Sequence, residues 1–497
     1  MIKRLFITLL LASSLSAQDL RVAGIFSNNA VLQCDTALPV WGTAKPGTGV
    51  QVSFAGQTKT DTACRLGRWY VSFDPMEAST DPRKLVISAE DSTVIVNNLL
   101  VGEVWLASGQ SNMDMNLQGC AKQNEHFKNV VANPAPTLLR MLKIRSPDTA
   151  QPITDLATKW TEDTPATRAS FSAAAYVFAQ RLAEELKVPI GIIDTSWGGK
   201  PIEGFIPRKA FDSHPTLQTI LQLADAEKFD ALKELEGGVI IRNTAGRPGR
   251  IFNGRMAPIV PYALRGFIWY QGESNAGTGE DPRDYRFKQQ ALIEGWRQAW
   301  DRPDTPFYCV QLPAFKDESA GWVRLREEQR LALSVPHTGM AVAIDLRDTN
   351  IHPGNKLDVG ERLARWPLAQ VYGQAIEVSG PLFEKAVIQE DAIQVHFSHV
   401  AGGLITASKA GLDAPVTTPD VPPGSFELAD ASGTWHPAKA IIEADSKTVR
   451  VTSTMVKQPT AVRYATEGDP EKANLYNRQK LPASPFCSEL SLLPWQK

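Results

Sequence analysis

Short apolar runs of strand-like composition alternate with amphipathic helical stretches between about Val101 and Gly373, and this alternation limits the folds open to the chain. It favours strand–helix–strand crossovers, and therefore a mostly parallel sheet covered by helices on both faces. Ligands of such sheets bind at the carboxyl ends of the strands. The predicted strands are Glu103 to Ala107, Ile190 to Asp194, Gly266 to Gln271, Phe307 to Leu312 and Met340 to Asp345, and the predicted helices are Phe171 to Leu186, Tyr285 to Trp300, Trp322 to Leu333 and Lys356 to Val371.

The two ends of the chain differ from this central part. From Arg21 to about Asn98, and again from about Glu377 onward, the β-branched runs are short and are separated by Gly, Pro and Asp. This pattern predicts small, sandwich-like all-β modules that flank the α/β domain. The predicted divisions are a leader (1–17), an N-terminal β module (18–100), a catalytic domain (101–375) with an excursion or lid at about 208–253, and a C-terminal β module (376–497).

The N-terminus is typical of a secretory signal. Positive charge at Lys3 and Arg4 precedes an apolar run, and small residues follow up to Ala17, after which we predict cleavage. We therefore expect export to the periplasm or the outside of the cell. No later stretch is long and apolar enough for membrane insertion. The 52 basic and 54 acidic residues nearly balance, which argues against a nucleic-acid partner, while the oligomeric state is not predicted.

The five cysteines do not form a disulfide framework or a zinc-binding spacing. Cys34 and Cys64 lie in the same predicted module and could pair after export. Burial in apolar packing is expected for the other three. No metal site is predicted.

The first predicted strand ends in the sequence Gly109-Gln-Ser-Asn-Met113, which makes Ser111 a candidate nucleophile. A serine hydroxyl reacts at neutral pH only when a base accepts its proton, so the motif requires a histidine and an oxyanion site elsewhere. By itself, the same sequence is equally typical of a strand-to-helix turn capped by Ser or Asn.

Groups suited to an oxyanion site follow the next two strands. The second strand leads into Gly198 and Gly199, whose backbone N–H groups can approach a developing oxyanion because no Cβ intervenes. The third leads into Asn275, a neutral amide donor. Each sequence is also compatible with an ordinary turn.

The last strand runs into a polar loop that contains His352 just before a predicted helix, where the imidazole could reach Ser111. Two other His-Pro pairs, at His214 and His436, do not follow a predicted strand of the sheet. His352 is therefore the candidate base.

These segments together resemble the sialate O-acetylesterase group of the SGNH hydrolases. Four blocks occur in the order and spacing of that family, and further similar segments extend the resemblance to nearly all of the mature chain. The four blocks are Gly109-Gln-Ser-Asn-Met113, Trp197-Gly-Gly199, Trp269-Tyr-Gln-Gly-Glu-Ser-Asn275 and Ile351-His-Pro353 with Lys356, and the further segments include Asn29 to Gln33, Phe252 to Gly254 and Asn474 to Asn477.

The resemblance implies an SGNH-type, flavodoxin-like sheet and an esterase that uses no cofactor. Ser111 would be the nucleophile and His352 the general base. The backbone N–H of Ser111, a Gly198 or Gly199 N–H and the Asn275 side chain would form the oxyanion hole. Substrate contacts are expected from the following side chains: Gln110, Asn112, Gln271 and Lys200.

The chain departs from the family pattern at the third member of the catalytic triad. Many SGNH enzymes have an aspartate three residues before the catalytic histidine, whereas this chain has Thr349. Asp348 in the same loop is the first choice for the acid, Asp345 at the strand end is the second, and Glu273 is a further alternative.

The predicted function is a secreted serine esterase that removes O-acetyl groups from carbohydrates through an acetyl-enzyme. O-acetylated sialic acid is the leading substrate, with acetyl xylan or another polysaccharide as the alternative. A cationic contact would favour the sialate carboxylate, and Lys200 and Arg255 are candidates for it. A non-catalytic carbohydrate-binding protein is the competing hypothesis from another functional class.

Overall fold

A computed structural model provides the structure of the chain and describes residues 19–133, 138–228, 231, 247–276, 282–316 and 320–493. The predicted leader lies outside these residues, as do residues 229–230 and 232–246 of the predicted excursion. Among the described residues, no helix combines the length and the apolar character needed to cross a membrane.

Short strands build the N-terminal region: β1 (Arg21–Val22), β2 (Val31–Gln33), β3 (Leu38–Thr43), β4 (Gly49–Phe54), β5 (Gln57–Thr62), β6 (Arg68–Phe73) and β7 (Ser79–Ala89). Strands β1, β3 and β6 form one antiparallel sheet, and β4 pairs antiparallel with both β5 and β7. Exposed and buried side chains alternate along β6, as expected for a sheet with one solvated face.

Strand β8 (Ser92–Gly109) continues from this region into the centre of the molecule. Its first part pairs with β7 and β2, and its second part lies in the central sheet, so it crosses the predicted division at residue 100. All its residues from Leu99 onward are buried, because neighbouring structure covers both faces. Buried apolar side chains of the N-terminal region and of one face of the central sheet form one continuous cluster.

The other strands of the central sheet are β9 (Leu139–Lys143), β10 (Thr161–Glu162), β11 (Ile190–Asp194), β12 (Gly266–Tyr270), β13 (Phe307–Val310) and β14 (Thr338–Ala341). The strand order is β10-β9-β11-β8-β12-β13-β14, and every pairing is parallel except the one between β10 and β9. The prediction of a mostly parallel sheet is confirmed. Strand β9, a short strand that contains two basic residues, was not predicted from the sequence.

The helices are α1 (Ser111–Asp114), α2 (Leu117–Ala121), α3 (Glu125–Ala132), α4 (Pro165–Ala169), α5 (Ala173–Leu186), α6 (Pro215–Asp225), α7 (Tyr285–Ala299), α8 (Ala320–Leu331) and α9 (Lys356–Gln370). Helices α5 and α9 pack against one face of the sheet, and α7 and α8 pack against the other. The two helical layers confirm the predicted α/β architecture and leave the carboxyl ends of the strands on one edge of the sheet.

The C-terminal strands are β15 (Leu382–Gln389), β16 (Ala392–Ser398), β17 (Leu404–Ser408), β18 (Val416–Thr417), β19 (Phe426–Ala429), β20 (Trp435–Pro437), β21 (Lys439–Ile442), β22 (Thr448–Thr452), β23 (Ala461–Tyr464), β24 (Leu475–Asn477) and β25 (Phe486–Cys487). They form small antiparallel sheets around an apolar cluster of their own. Ion pairs connect this part to the segment after β14. Arg347 binds Asp469 at 2.6 Å and Glu471 at 2.9 Å, and Lys409 binds Asp358 in α9 at 2.8 Å.

The suggested pairing of Cys34 with Cys64 is wrong, because both residues are free thiols. Cys34 is buried, and its Sγ lies 3.2 Å from Oε1 of Glu103. Cys64 is exposed, in the connection between β5 and β6. The two side chains therefore belong to different environments within the N-terminal region.

Candidate active site

Ser111 is the first residue of α1 and lies two residues after Gly109, the last residue of β8. Gly109 permits this tight turn, since its φ is 137° and a Cβ at this position would lie 2.1 Å from the carbonyl oxygen of Tyr270. The Ser111 side chain is half-buried, and its hydroxyl has no hydrogen-bond partner within the described part of the chain. A serine at the start of a helix, beside free backbone donors, is in a suitable position for acyl transfer.

The turn after β11 packs directly against Ser111. The Trp197 N–H donates to the carbonyl of Gly109 at 2.9 Å, and a Cβ built on Gly198 would lie 3.5 Å from the Cβ of Ser111. The backbone N–H groups of Ser111, Gly198 and Gly199 find no acceptor among the residues that the structure describes. Donors of this kind can stabilise a negatively charged oxygen.

Asn275 lies at the carboxyl end of β12 and is only 5% exposed. Its Nδ2 donates to both carboxylate oxygens of Glu203, at 3.1 and 3.3 Å, and its Oδ1 accepts from the Ile202 N–H at 3.0 Å. The Nζ of Lys288 in turn binds Glu203 at 2.8 Å. These bonds fix the orientation of the Asn275 amide.

Gln110 and Gln271, the two glutamines predicted to contact substrate, are buried and bonded to each other. The Nε2 of Gln271 donates to Oε1 of Gln110 at 3.0 Å and to Oδ1 of Asn275 at 2.8 Å. Oε1 of Gln110 also accepts from the Ser274 N–H at 3.0 Å. Their amides therefore join the ends of β8 and β12 and fix the floor on which Ser111 sits.

Asn112, the third predicted contact, is fully buried and connects three segments. Its Nδ2 donates to Oε1 of Glu273 at 2.5 Å and to the carbonyl of Ile351 at 3.0 Å. Its Oδ1 accepts from the Nζ of Lys356 at 2.6 Å. The residue beside Ser111 is thus bonded to the residue beside His352.

The backbone carbonyl groups of the residues on either side of His352 both accept hydrogen bonds from buried side chains. Asn112 holds the carbonyl of Ile351, and Lys356 holds that of Pro353 at 2.8 Å. The imidazole is half-buried and has no hydrogen-bond partner within the described residues. Burial, and then the positive charge of Lys356, lower the pKa of His352 below its usual value of 6.5.

Asp348, the first choice for the triad acid, is bonded to the backbone of its own loop. Its carboxylate accepts the N–H of Asn350 at 3.1 Å and the N–H of Gly354 at 3.1 Å. Both acceptor bonds stabilise the turn that carries His352. No bond from Asp348 to the imidazole occurs in this structure, where the loop is fully described.

The two alternative acids also have other partners. Asp345 forms a bidentate ion pair with Arg362, at 2.6 and 2.8 Å, and accepts from the hydroxyl of Tyr476 at 3.1 Å. Glu273 accepts from Asn112, and burial raises the pKa of its carboxyl. Its Oε2 is buried without a hydrogen-bond partner among the described residues.

Comparisons with known proteins decide the family. A model of the carbohydrate esterases described as sialic acid-specific acetylesterases matches residues 250–368, which include Asn275 and His352. The crystal structure of a carbohydrate acetylesterase from Xanthomonas citri is 33% identical and superimposes with a TM-score of 0.80, covering 94% of this chain and 99% of that one. The chain belongs to the sialate O-acetylesterase family.

Curated relatives agree with this assignment. The sialate O-acetylesterase of Homo sapiens is 28% identical over 405 residues, which cover 73% of this chain and 74% of the human protein. That of Mus musculus is 25% identical over 527 residues, which cover 95% and 94% of the two chains. This sialate O-acetylesterase family member is therefore a carboxylic ester hydrolase.

Two cations flank Trp197, the residue before the candidate oxyanion glycines. The Cζ of Arg255 lies 4.0 Å from the centroid of the Trp197 ring system, and the Nζ of Lys200 lies 5.3 Å from it. Arg255 is only 3% exposed and donates to the carbonyls of Ser146, at 2.9 Å, and Ser196, at 2.5 Å. Burial lowers its pKa to about 10. Arg255 therefore lies beneath Trp197 as a buried structural residue, whereas Lys200 is half-buried at the edge of the site.

A pair of cationic side chains next to α1 was not predicted from the sequence. Arg145 binds the carboxylate of Asp114 through two bonds, at 2.9 and 3.1 Å, and Lys143 binds the same carboxylate at 3.0 Å. Asp114 lies three residues after Ser111, and the Arg145 side chain is 52% exposed. The Nζ of Lys143 also lies 3.4 Å from the buried carboxylate of Asp194, so two cations face two carboxylates, and Arg145 is the exposed cation of the group. Strand β9 ends at Lys143 and leads to Arg145, so it places both cations next to α1.

Within the described residues, a potential metal-binding group of three side chains lies away from this site, at Cys34, Asp35 and Glu103. Arg265 already binds both oxygens of Glu103, at 2.7 and 2.8 Å. The guanidinium therefore supplies the positive charge that this buried carboxylate requires.

Proposed function

We propose that the chain is an exported serine esterase that removes O-acetyl groups from carbohydrates, with O-acetylated sialic acid as the leading substrate. The proposal includes an SGNH-type, flavodoxin-like catalytic domain over residues 101–375, flanked by β modules. One observation carries it: Ser111 lies beside backbone N–H groups that find no acceptor in the described part of the chain, and its neighbour Asn112 is bonded to the segment that contains His352.

The reaction begins when His352 accepts the proton of Ser111 as its oxygen attacks the acetyl carbonyl carbon. The N–H groups of Ser111 and of Gly198 or Gly199, with the Asn275 amide, stabilise the oxyanion, and each donor contributes about 2.7 to 4 kcal/mol. Protonated His352 then gives its proton to the departing sugar oxygen. Water, deprotonated by His352, hydrolyses the acetyl-enzyme, and Ser111 recovers its proton.

In this proposal, Asp348 acts on His352 through the loop, where it accepts two backbone N–H groups. Asn112 and Lys356 donate hydrogen bonds to the carbonyls of Ile351 and Pro353, which flank His352. The buried carboxylate of Glu273 fixes Asn112. These bonds hold the backbone on both sides of His352, and no carboxylate of the described residues is bonded to its ring.

The choice of sialic acid over a neutral polysaccharide rests on charge. Arg145 is half-exposed beside α1, where a substrate carboxylate can add to its bonds with Asp114. Arg145→Gln is expected to raise KM for 9-O-acetylated sialic acid about 10- to 100-fold, since a hydrogen bond to a charged group contributes about 1.5 to 3 kcal/mol. Lys143 keeps Asp114 paired in the variant.

Acetate release from 9-O-acetylated sialic acid and from acetylated xylan, measured in parallel, tests this expectation. The neutral ester 4-nitrophenyl acetate is the control and should be hydrolysed equally by both enzymes. If Arg145→Gln affects the acidic and neutral substrates alike, Arg145 does not recognise the carboxylate, and a preference of the wild type for xylan would favour the alternative substrate.

The pKa of His352 predicts the acid side of the pH profile. A general base must be neutral, and burial together with Lys356 holds the pKa of this imidazole below 6.5. We therefore expect kcat/KM to rise with pH through a midpoint below 6.5 and to be near its plateau at neutral pH. A pH profile with 4-nitrophenyl acetate measures the midpoint, and a midpoint above 6.5 would contradict the proposed environment of His352.

A further inference from the structure

A second cleft, of about 460 Å³, lies between the N-terminal region and the body of the molecule. One face of the β1–β3–β6 sheet forms its floor. The segment at 152–155 and the turn that contains Ala257, Val260 and Pro261 form its wall. The cleft therefore combines groups from two parts of the chain, which is a common location for ligand sites.

The strand register places five side chains on the floor. Thr43 of β3 pairs with Arg21 of β1 and with Arg68 of β6, and Trp41 pairs with Tyr70. Cross-strand partners share a face of the sheet, and so do residues two apart on one strand. A row of two guanidinium groups and a hydroxyl therefore lies next to a pair of aromatic rings.

These side chains are available to a ligand. Tyr70 is 51% exposed, and Trp41 is half-buried with one edge against Phe26, at a centroid distance of 4.9 Å. Arg21 and Arg68 are exposed, and neither makes an ion pair or a side-chain hydrogen bond with any residue that the structure describes. An aromatic pair beside free guanidinium groups offers both an apolar surface and hydrogen-bond donors.

We propose that this cleft binds pyranose units of a glycan chain. The C–H faces of a pyranose can stack on Trp41 and Tyr70, while its hydroxyls accept hydrogen bonds from Arg21 and Arg68. The carboxylate of Asp61, which also lines the cleft, can accept from a hydroxyl. The site extends beyond the proposed esterase chemistry, because it would hold sugar units other than the acetylated one.

Arg255 connects the chain segments near the wall of the cleft with the turn beside Ser111. Ser146, six residues before the wall segment at 152–155, accepts a hydrogen bond from Nε of Arg255. The same guanidinium binds the carbonyl of Ser196, and Arg255 precedes Ala257 of the wall by two residues. A glycan in the cleft would therefore contact the same segments that shape the turn beside Ser111.

Binding to polymers tests the proposal. The full chain with Ser111→Ala, in which turnover is blocked under the proposed function, is titrated with acetylated xylan and with submaxillary mucin as neutral and sialylated probes. Tyr70→Ala and Arg68→Ala, both surface changes, should each weaken binding to the preferred polymer at least about fivefold. Leu66→Ala, which is 71% exposed in the same region but outside the cleft, is the matched control and should bind normally.

Kinetics with Ser111 intact give a second measurement. Tyr70→Ala should raise KM for the acetylated polymer about fivefold and leave the hydrolysis of 4-nitrophenyl acetate unchanged. Unaltered polymer binding in both Tyr70→Ala and Arg68→Ala would overturn the proposal, as would the absence of wild-type binding to either polymer. Failure of the esterase mechanism would instead appear as activity that survives Ser111→Ala.

Discussion

Ser111→Ala is expected to lower kcat for acetate release by about 10,000-fold or more, because removal of the nucleophile from a serine hydrolase leaves only the contribution of binding and of the oxyanion donors. The variant should fold normally, since the Ser111 hydroxyl has no hydrogen-bond partner within the described part of the chain. Acetate release from 9-O-acetylated sialic acid, with the melting temperature as a check on folding, provides the measurement.

Ser213→Ala is a suitable control, because among the described residues its hydroxyl bonds only within its own turn, to the carbonyl of Ala210 at 2.7 Å. This variant should retain wild-type kcat. Labelling by a serine-directed phosphonate adds a readout that does not depend on the choice of substrate. Wild-type protein that is neither labelled nor active on any acetyl ester would favour the carbohydrate-binding hypothesis over the esterase.

Lys356→Met is expected to lower kcat roughly 10- to 100-fold, by analogy with the loss of partners that orient catalytic groups. The buried Nζ of Lys356 holds the carbonyl of Pro353 and the amide of Asn112, so its removal frees the segment on either side of His352. KM should change little. The acid midpoint of the pH profile should move upward, since the charge of Lys356 helps to lower the pKa of His352.

Lys409→Met is the matched control. Lys409 is also a buried lysine bonded to α9, through Asp358 at 2.8 Å, and it donates to the carbonyls of Gly411 and Asp413. Its replacement should reduce stability without moving the pH midpoint. Equal changes in kcat and in pH midpoint for the two variants would show that Lys356 contributes only general stability.

Much of the fold follows from local sequence patterns. The apolar runs predicted β11, β12 and β13 to within two residues, because strands buried on both faces need continuous apolar sequence. Strand β9 was not predicted, because Arg140 and Lys143 interrupt its run of apolar residues. Arg140 pairs with Glu162 of the edge strand β10 at 3.0 Å. That partner is set by tertiary structure, which no local pattern contains.

The candidate site was predictable in part. The strand-end rule selected Ser111, Gly198 and His352 as candidates. In the structure Gly198 packs against Ser111, and Asn112 is bonded to the carbonyl of Ile351, while the catalytic roles of these residues stay predictions. The predicted substrate contacts of Gln110 and Asn112 could not be judged from their position at a strand end. Whether a polar side chain faces substrate or another strand end depends on burial, and both side chains are buried in bonds within the protein.

Strand β8 has a consequence for the way the protein loses activity. Its first residues belong to the N-terminal sheet, and its last residue, Gly109, lies two residues before Ser111. A single strand therefore belongs to both the N-terminal region and the candidate active site. Because the two regions also share one apolar cluster, we expect them to unfold together as one cooperative unit. Removal of the N-terminal region should therefore destabilise the central sheet. We expect substitutions that destabilise the N-terminal region, even far from the strand ends, to unfold the segment that carries the nucleophile as well.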